Sequence, residues 1–219
     1  YATEVVEQEE NTIHMNVGPS HPATHGTLRL KLEVRGETIV NCEQEIGYLH
    51  TGFEKLAEYR SYNQFVTVTD RMNYFSPLNN NIGYAVAVEE LIGIQAPRRG
   101  QVIRVILSEL SRIADHVLCL GAMTMDLGAF SSILWGFLDR ENLYDVFESV
   151  TGTRLTTSYT RIGGLAFDLP DGFEKRVLEI LVGVEDTIDK FKSSFLNNNI
   201  FLDRTRGIGV ISGEDVLSF

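Results

Sequence analysis

Two histidines, His21 and His25, stand four residues apart in the stretch Gly18-Pro-Ser-His-Pro-Ala-Thr-His-Gly26. On a helix that spacing would aim both imidazoles the same way and suggest a metal pair. Pro19 and Pro22 exclude a helix, because proline lacks an N–H and pushes the residue before it out of the α region. With a glycine at each end, the stretch reads as a turn-rich loop between two short apolar runs, 13–17 and 28–34. Histidine titrates near neutrality, so proton chemistry is one reading of this stiffened loop. A capping or otherwise structural histidine is the other, and the simpler one from these residues alone. A second polar group, Glu109, Arg112 and His116, shares one stripe of an otherwise apolar helical run and is expected to be a bundle-internal polar seam. Cys42 and Cys119 are the only cysteines. Both sit among apolar residues and support neither a disulfide framework nor a four-thiolate metal site, which suits a reducing compartment.

The 219 residues are enough for one large domain, or for a small one plus a helical one, with an ample core. Hydrophobic content of 43% and charged content of 22% are ordinary for a globular protein. A net charge of −11 argues against nucleic acid as a partner and against a basic membrane-surface helix. No apolar run approaches the roughly 18 residues of a membrane span. Residues 1–10 are acidic and lack a hydrophobic stretch, so neither a secretory signal nor a transit peptide is expected there.

The elements that must position these groups follow from periodicity. Residues 28–34 alternate apolar and polar with period two, as a half-buried strand does, and Arg35-Gly36-Glu37 turns the chain into a further strand over 38–46. From Phe53 the pattern turns helical: a short helix over 53–59, a second over 62–74, and a third opened by Ser76-Pro77 and running to Ile94. Residues 101–123 are apolar on most faces and predict a central, buried helix. Further helices are expected over 131–150 and 173–196, with an extended segment over 159–167 between them. The predicted fold is α+β, a small antiparallel β-sheet domain followed by a mainly α-helical bundle. The boundaries are a disordered or extended terminus over 1–11, the sheet domain with the two-histidine loop over 12–52, and a helical bundle over 53–219 that is incomplete at its C-terminus.

Seven segments in order resemble one family. They are the two-histidine loop, Gly47-Tyr-Leu-His-Thr-Gly-Phe-Glu-Lys55, Asp70-Arg-Met-Asn-Tyr74, Leu110-Ser-Arg-Ile-Ala-Asp-His116, Met125-Asp-Leu-Gly-Ala129, Arg161-Ile-Gly-Gly164 and Arg204-Thr-Arg-Gly-Ile-Gly209. The set is similar to the quinone-site or D subunit of proton-pumping NADH:quinone oxidoreductase (respiratory complex I), a relative of the nickel–iron hydrogenase large subunit. The family's chains are longer, and the resemblance covers an N-terminal half. In hydrogenases an arginine precedes a Cys-x-x-Cys pair whose thiolates hold the metal centre. Here the stretch is Arg71-Met-Asn-Tyr-Phe-Ser76, and neither Asn73 nor Ser76 supplies a soft thiolate. The space is then left for an organic ligand, and no metal is expected on this chain.

The resemblance implies roles residue by residue. Tyr74 corresponds to the tyrosine that hydrogen-bonds a carbonyl of the quinone headgroup, and His25 to the loop histidine approaching the same ring, with His21 nearby. Asp126 corresponds to the aspartate paired with that histidine. Arg71 corresponds to an arginine near an iron–sulfur cluster held by the adjacent subunit. Partners implied are the iron–sulfur B subunit, the C subunit and the membrane-embedded H subunit, with quinone as substrate and no cofactor bound by this chain. The location implied is peripheral, on the cytoplasmic side of the inner membrane. Without the motif set, Tyr74 reads as a core aromatic with its hydroxyl tied back, Asp126 as a helix cap, and Arg71 as the partner of Asp70 or Glu109.

Two positions depart from the family pattern. Thr51 stands where many members have arginine, and Thr156 where many have a histidine near the cluster. Loss of a cationic and a titratable neighbour should lower the cluster's potential and weaken its pH dependence, so menaquinone is the expected quinone. The rival readings are membership of a hydrogenase-like or membrane hydrogenase complex, and a structural adaptor within such a complex.

Overall fold

The computed structural model describes residues 8–9 and 12–218. They divide into two compact units, Tyr1–Leu56 and Ala57–Phe219.

The first unit is an antiparallel sheet in which β1 (Gln8–Glu9), β2 (Thr12–Val17), β3 (Arg29–Arg35) and β4 (Thr38–Glu45) pair in sequence order. Register sorts the side chains by the two-residue period: Met15, Leu32 and Cys42 share one row, and Asn16, Lys31 and Glu43 the next. Lys31 reaches Glu43 at 3.5 Å across the polar face. Within the terminus expected to be disordered or extended, Gln8–Glu9 is an extended strand paired with β2; the rest of 1–11 lies outside the described residues.

The helices are α1 (Phe53–Glu58), α2 (Tyr62–Thr69), α3 (Pro77–Ile92), α4 (Arg98–Asp126) and α5 (Ser131–Thr151). A two-residue hairpin follows, β5 (Thr160–Arg161) against β6 (Gly164–Leu165). Then come α6 (Phe173–Phe191), a π-helical turn (Lys192–Leu196), α7 (Asn199–Thr205) and α8 (Gly213–Ser218). Among the described residues no helix is long and apolar enough to cross a membrane.

The core joins α3, α4, α5 and α6 through Leu78, Leu107, Ala114, Leu143, Val146 and Val177, with Tyr159 from the segment leading into the hairpin. Two glycines let α4 and α5 approach closely. A Cβ on Gly136 would meet Val117 Cγ1 at 2.9 Å, and one on Gly121 would meet Ile133 Cα at 3.0 Å. Each glycine is a groove for a β-branched ridge of the other helix.

Several expectations need correction. The second helix stops at Thr69 instead of reaching Tyr74, because Asp70 turns into the interior and bonds a distant loop. The central helix is longer than expected but not buried on all faces: Val102 and Val105 are exposed. Glu109, Arg112 and His116 lie on that helix outside its buried face, so the stripe is a surface row on this chain, and Arg112 pairs with Glu109 at 3.1 Å. Cys119 is exposed and Cys42 half-buried, neither in an apolar interior. The helix expected over 173–196 changes to π geometry after Phe191, and the C-terminal segment holds two helices, α7 and α8, that its weak periodicity did not predict.

Candidate functional site

In the first unit the two-histidine loop is the predicted series of turns. Gly18 opens it at φ 95°, where a Cβ would collide with the Leu28 carbonyl, and is followed by a cis bond to Pro19. Ala23 N–H donates to His21 Nδ1 at 3.1 Å, and Thr24 N–H to the His21 carbonyl at 3.1 Å. An accepting Nδ1 leaves the proton of the neutral ring on Nε2, which is then the donor available to a ligand. His25 is exposed. A Cβ on Gly26 would lie 3.2 Å from Leu49 Cδ1, so the loop abuts the 47–50 turn that leads into Thr51. The end of the two-histidine loop thus meets the turn that precedes Thr51.

In the second unit the site is built on the loop between α2 and α3. Asp70, fully buried, anchors its start: Ser158 donates its N–H at 2.9 Å and its hydroxyl at 2.6 Å, and Thr157 Oγ1 lies at 3.4 Å. Burial pushes the Asp70 carboxyl above its ordinary 3.8, against the Ser158 and Asn81 hydrogen bonds and the Arg71 charge, which pull it down. Ser158 reaches Asp70 with φ 42°, the one left-handed non-glycine among the described residues, so the tether carries backbone strain.

Asn73 fixes the middle of the loop. Its amide donates to Ser76 Oγ at 2.8 Å and to Asp115 Oδ2 on α4 at 2.9 Å, while its carbonyl accepts from Asn80 at 3.0 Å. At Asn73 and Ser76, the two positions where the resemblance would put hydrogenase thiolates, this chain has an amide and a hydroxyl bonded to each other. These donors do not fit a nickel–iron centre.

Between these anchors lies Tyr74, 46% exposed, its ring tilted at 51° to that of Phe75 with centroids 4.3 Å apart. Its hydroxyl has no hydrogen-bond partner among the described residues. Other tyrosines of this unit are tied back: Tyr84 to the Tyr62 carbonyl at 3.0 Å, Tyr159 to the Phe167 carbonyl at 2.5 Å, and Tyr144 to Arg140. The core-aromatic reading of Tyr74 is therefore not what is observed. Behind Phe75 sits Arg140, a buried cation that sequence reasoning missed. Its guanidinium lies 5.7 Å from the Phe75 ring centre, 5.1 Å from Phe137 and 4.9 Å from Tyr144. No sequence spacing foretells such a cage, because its rings come from two elements.

Arg71, exposed, donates to the Thr67 carbonyl and does not pair with Glu109, which bonds Arg112. Thr156 is brought to the same region, because its neighbours Thr157 and Ser158 hold Asp70, next to Arg71. Asp126 ends α4, eleven residues past Asp115, or about 16 Å along the axis at 1.5 Å per residue. The loop of Tyr74 and the turn of Asp126 thus sit at two levels of one helix. A cavity of about 180 Å³ opens beside that turn, between 124–129 and 194–201.

Comparison with known proteins bears on both units. A family model described as "Respiratory-chain NADH dehydrogenase, 49 Kd subunit" matches residues 126–219, which begin at Asp126. The D subunit of NADH-quinone oxidoreductase from Akkermansia muciniphila is 48% identical over 219 residues, 100% of this chain and 53% of that one. The corresponding D subunit from Methylacidiphilum infernorum is 49% identical over 211 residues, 96% of this chain and 50% of that one. That from Geotalea uraniireducens is 45% identical over 205 residues, 94% and 53%. The chain spans about half the length of the curated relatives it matches.

Proposed function

Because the chain belongs to the family of NADH-quinone oxidoreductase D subunits, we propose that it forms the quinone-headgroup site of a proton-translocating enzyme of that kind and supplies protons to the ring. The observation that carries the reading is Tyr74, whose hydroxyl is exposed and unspent on a loop held at both ends by buried or polar anchors.

Reduction of a quinone takes two electrons and two protons, and negative charge builds on the carbonyl oxygens as electrons arrive. An iron–sulfur cluster of the adjacent B subunit supplies the electrons, and this chain binds no cofactor. The Tyr74 O–H donates a hydrogen bond, then a proton, to one carbonyl oxygen. By the resemblance, His25, with His21 beside it on the loop, and Asp126 serve the same headgroup as proton-handling groups. Arg71 lies toward the cluster. Menaquinone is the proposed quinone, given Thr51 and Thr156. The C and H subunits complete the surroundings, and the chain sits peripherally on the cytoplasmic side of the inner membrane.

The test is Tyr74→Phe in the assembled complex. The hydroxyl holds nothing in place among the described residues, so assembly should persist. Loss of the proton donor should lower quinone reductase turnover by about a hundredfold. Full retained activity would remove Tyr74 from the mechanism.

A further inference from the structure

The turn that carries Asp126 is closed by a side chain from the far end of the chain. Helix α4 ends where Leu127 N–H returns to the Met123 carbonyl at 3.3 Å, Gly128 N–H to Met125 at 2.9 Å, and Ala129 N–H to Thr124 at 2.9 Å. Gly128 makes this ending with φ 99°, and Leu127 sits at φ −83° and ψ 5°, in the sparsely populated bridge region. The Leu127 carbonyl is one of the terminal acceptors that a helix cannot satisfy internally. Arg204 on α7 satisfies it: Nη1 donates to that oxygen at 2.5 Å, 77 residues away in sequence. The same nitrogen lies 3.4 Å from where a Gly128 Cβ would be, so it occupies the notch the glycine leaves.

The helix that carries the arginine is itself capped and braced. Asn198 caps α7 by accepting the Ile200 N–H at 2.9 Å, and Thr205 Oγ1 donates to the Phe201 carbonyl at 2.8 Å. A cation at a helix C-terminus is also favoured by the aligned peptide dipoles. Fixing the Leu127 carbonyl fixes the backbone immediately after Asp126, and with it the direction from which the carboxylate leaves the helix.

We propose that Arg204 is a positioning residue for Asp126, acting through the Leu127 carbonyl to hold the direction in which that carboxylate leaves the end of α4. This inference rests on the quinone-site reading given above.

The experiment is a double-mutant cycle in the assembled complex, with Arg204→Gln, Asp126→Asn and both together, and Arg204→Lys as the conservative variant. Assembly is checked by co-purification of the subunits. Arg204→Gln should lower turnover by about tenfold with little change in quinone KM, since misaimed groups cost rate more than binding. Arg204→Lys, which keeps a donor at the helix end, should recover most of that loss. In the Asp126→Asn background, Arg204→Gln should cause no further fall. Equal losses in both backgrounds would mean that Arg204 acts on the fold generally, and would overturn the inference. Wild-type turnover in Arg204→Gln beside an impaired Asp126→Asn would also overturn it, while leaving the quinone-site reading intact. Full activity in Asp126→Asn would overturn the assigned role of Asp126 and the inference with it.

Discussion

Asp70 and Ser158 are 88 residues apart in sequence and joined by two hydrogen bonds, the Ser158 N–H at 2.9 Å and its hydroxyl at 2.6 Å, both to Asp70 Oδ2. The pair stops α2 at Thr69 and ties the loop of Arg71 and Tyr74 to the segment of Thr156. Three positions that the family resemblance singles out thus depend on one buried carboxylate.

That carboxylate makes stability depend on pH. Burial raises the folded-state pKa of Asp70 above its ordinary 3.8, so the folded chain holds more protons than the unfolded one as pH rises past that value. Its contribution to stability is then greatest below the unfolded pKa and falls as pH climbs through the folded one. Asp70→Asn keeps an acceptor for the Ser158 N–H and cannot ionise, so it should abolish this slope. Urea midpoints measured from mildly acidic to neutral pH should converge with wild type at the acid end and diverge above it. Parallel curves would mean that Asp70 does not titrate in this window.

A second prediction concerns Glu89 and Arg104, an ion pair inside the bundle. Arg104 donates to both Glu89 oxygens at 2.8 and 2.6 Å, and to the Arg161 and Gly164 carbonyls at 2.9 and 3.0 Å; Gly163 N–H donates to Glu89 Oε1 at 2.7 Å. The pair therefore holds the β5–β6 hairpin onto α3 and α4. Arg104→Met should cost about 3–5 kcal/mol by stranding a buried carboxylate, whereas Glu89→Leu with Arg104→Met should recover much of it. Chemical unfolding of the three chains decides; a double variant as damaged as the single would show that the hairpin contacts dominate. The Arg104 hydrogen bonds hold the Glu89 pKa below 4.5. This contribution is therefore present above that value and lost as pH falls through the lowered one, opposite in sign to Asp70.

These two prediction sites mark the limit of what the residues could tell. Period-two alternation over 28–34 marked the middle strand nearly to the residue, and Ser76-Pro77 marked the start of α3, because both are local rules of backbone and burial. The Gly-Pro loop of His21 and His25 was legible for the same reason. The end of α2 was not, since Asp70 turns inward for a partner 88 residues away. Glu109, Arg112 and His116 read as an interior seam because apolar neighbours surround them in sequence, yet the helix keeps them off its buried face. Tyr74 looked like a core residue by type, and only its folded neighbours reveal a spare hydroxyl. Arg204 carried no signal beyond its motif, as its partner is a backbone carbonyl.

The last prediction concerns Thr156, and it tests the choice of quinone. Thr156 stands beside the residues that hold Asp70, and Arg71, placed by resemblance near the adjacent subunit's cluster, follows Asp70 directly. A threonine there offers neither charge nor a titratable proton, so in the assembled complex the cluster's midpoint potential should be low and nearly flat with pH. Thr156→His restores both properties. Reduction of the cluster would then favour protonation of the new imidazole, and uptake of that proton links potential to pH. The potential should rise at acidic pH and fall as pH increases, with a slope approaching about 59 mV per unit between the oxidised- and reduced-state pKa values of the histidine. Redox titration of both complexes across pH makes the comparison. A wild-type potential already high and steeply pH-dependent would remove the argument for menaquinone, because electrons at that potential would suit a higher-potential quinone.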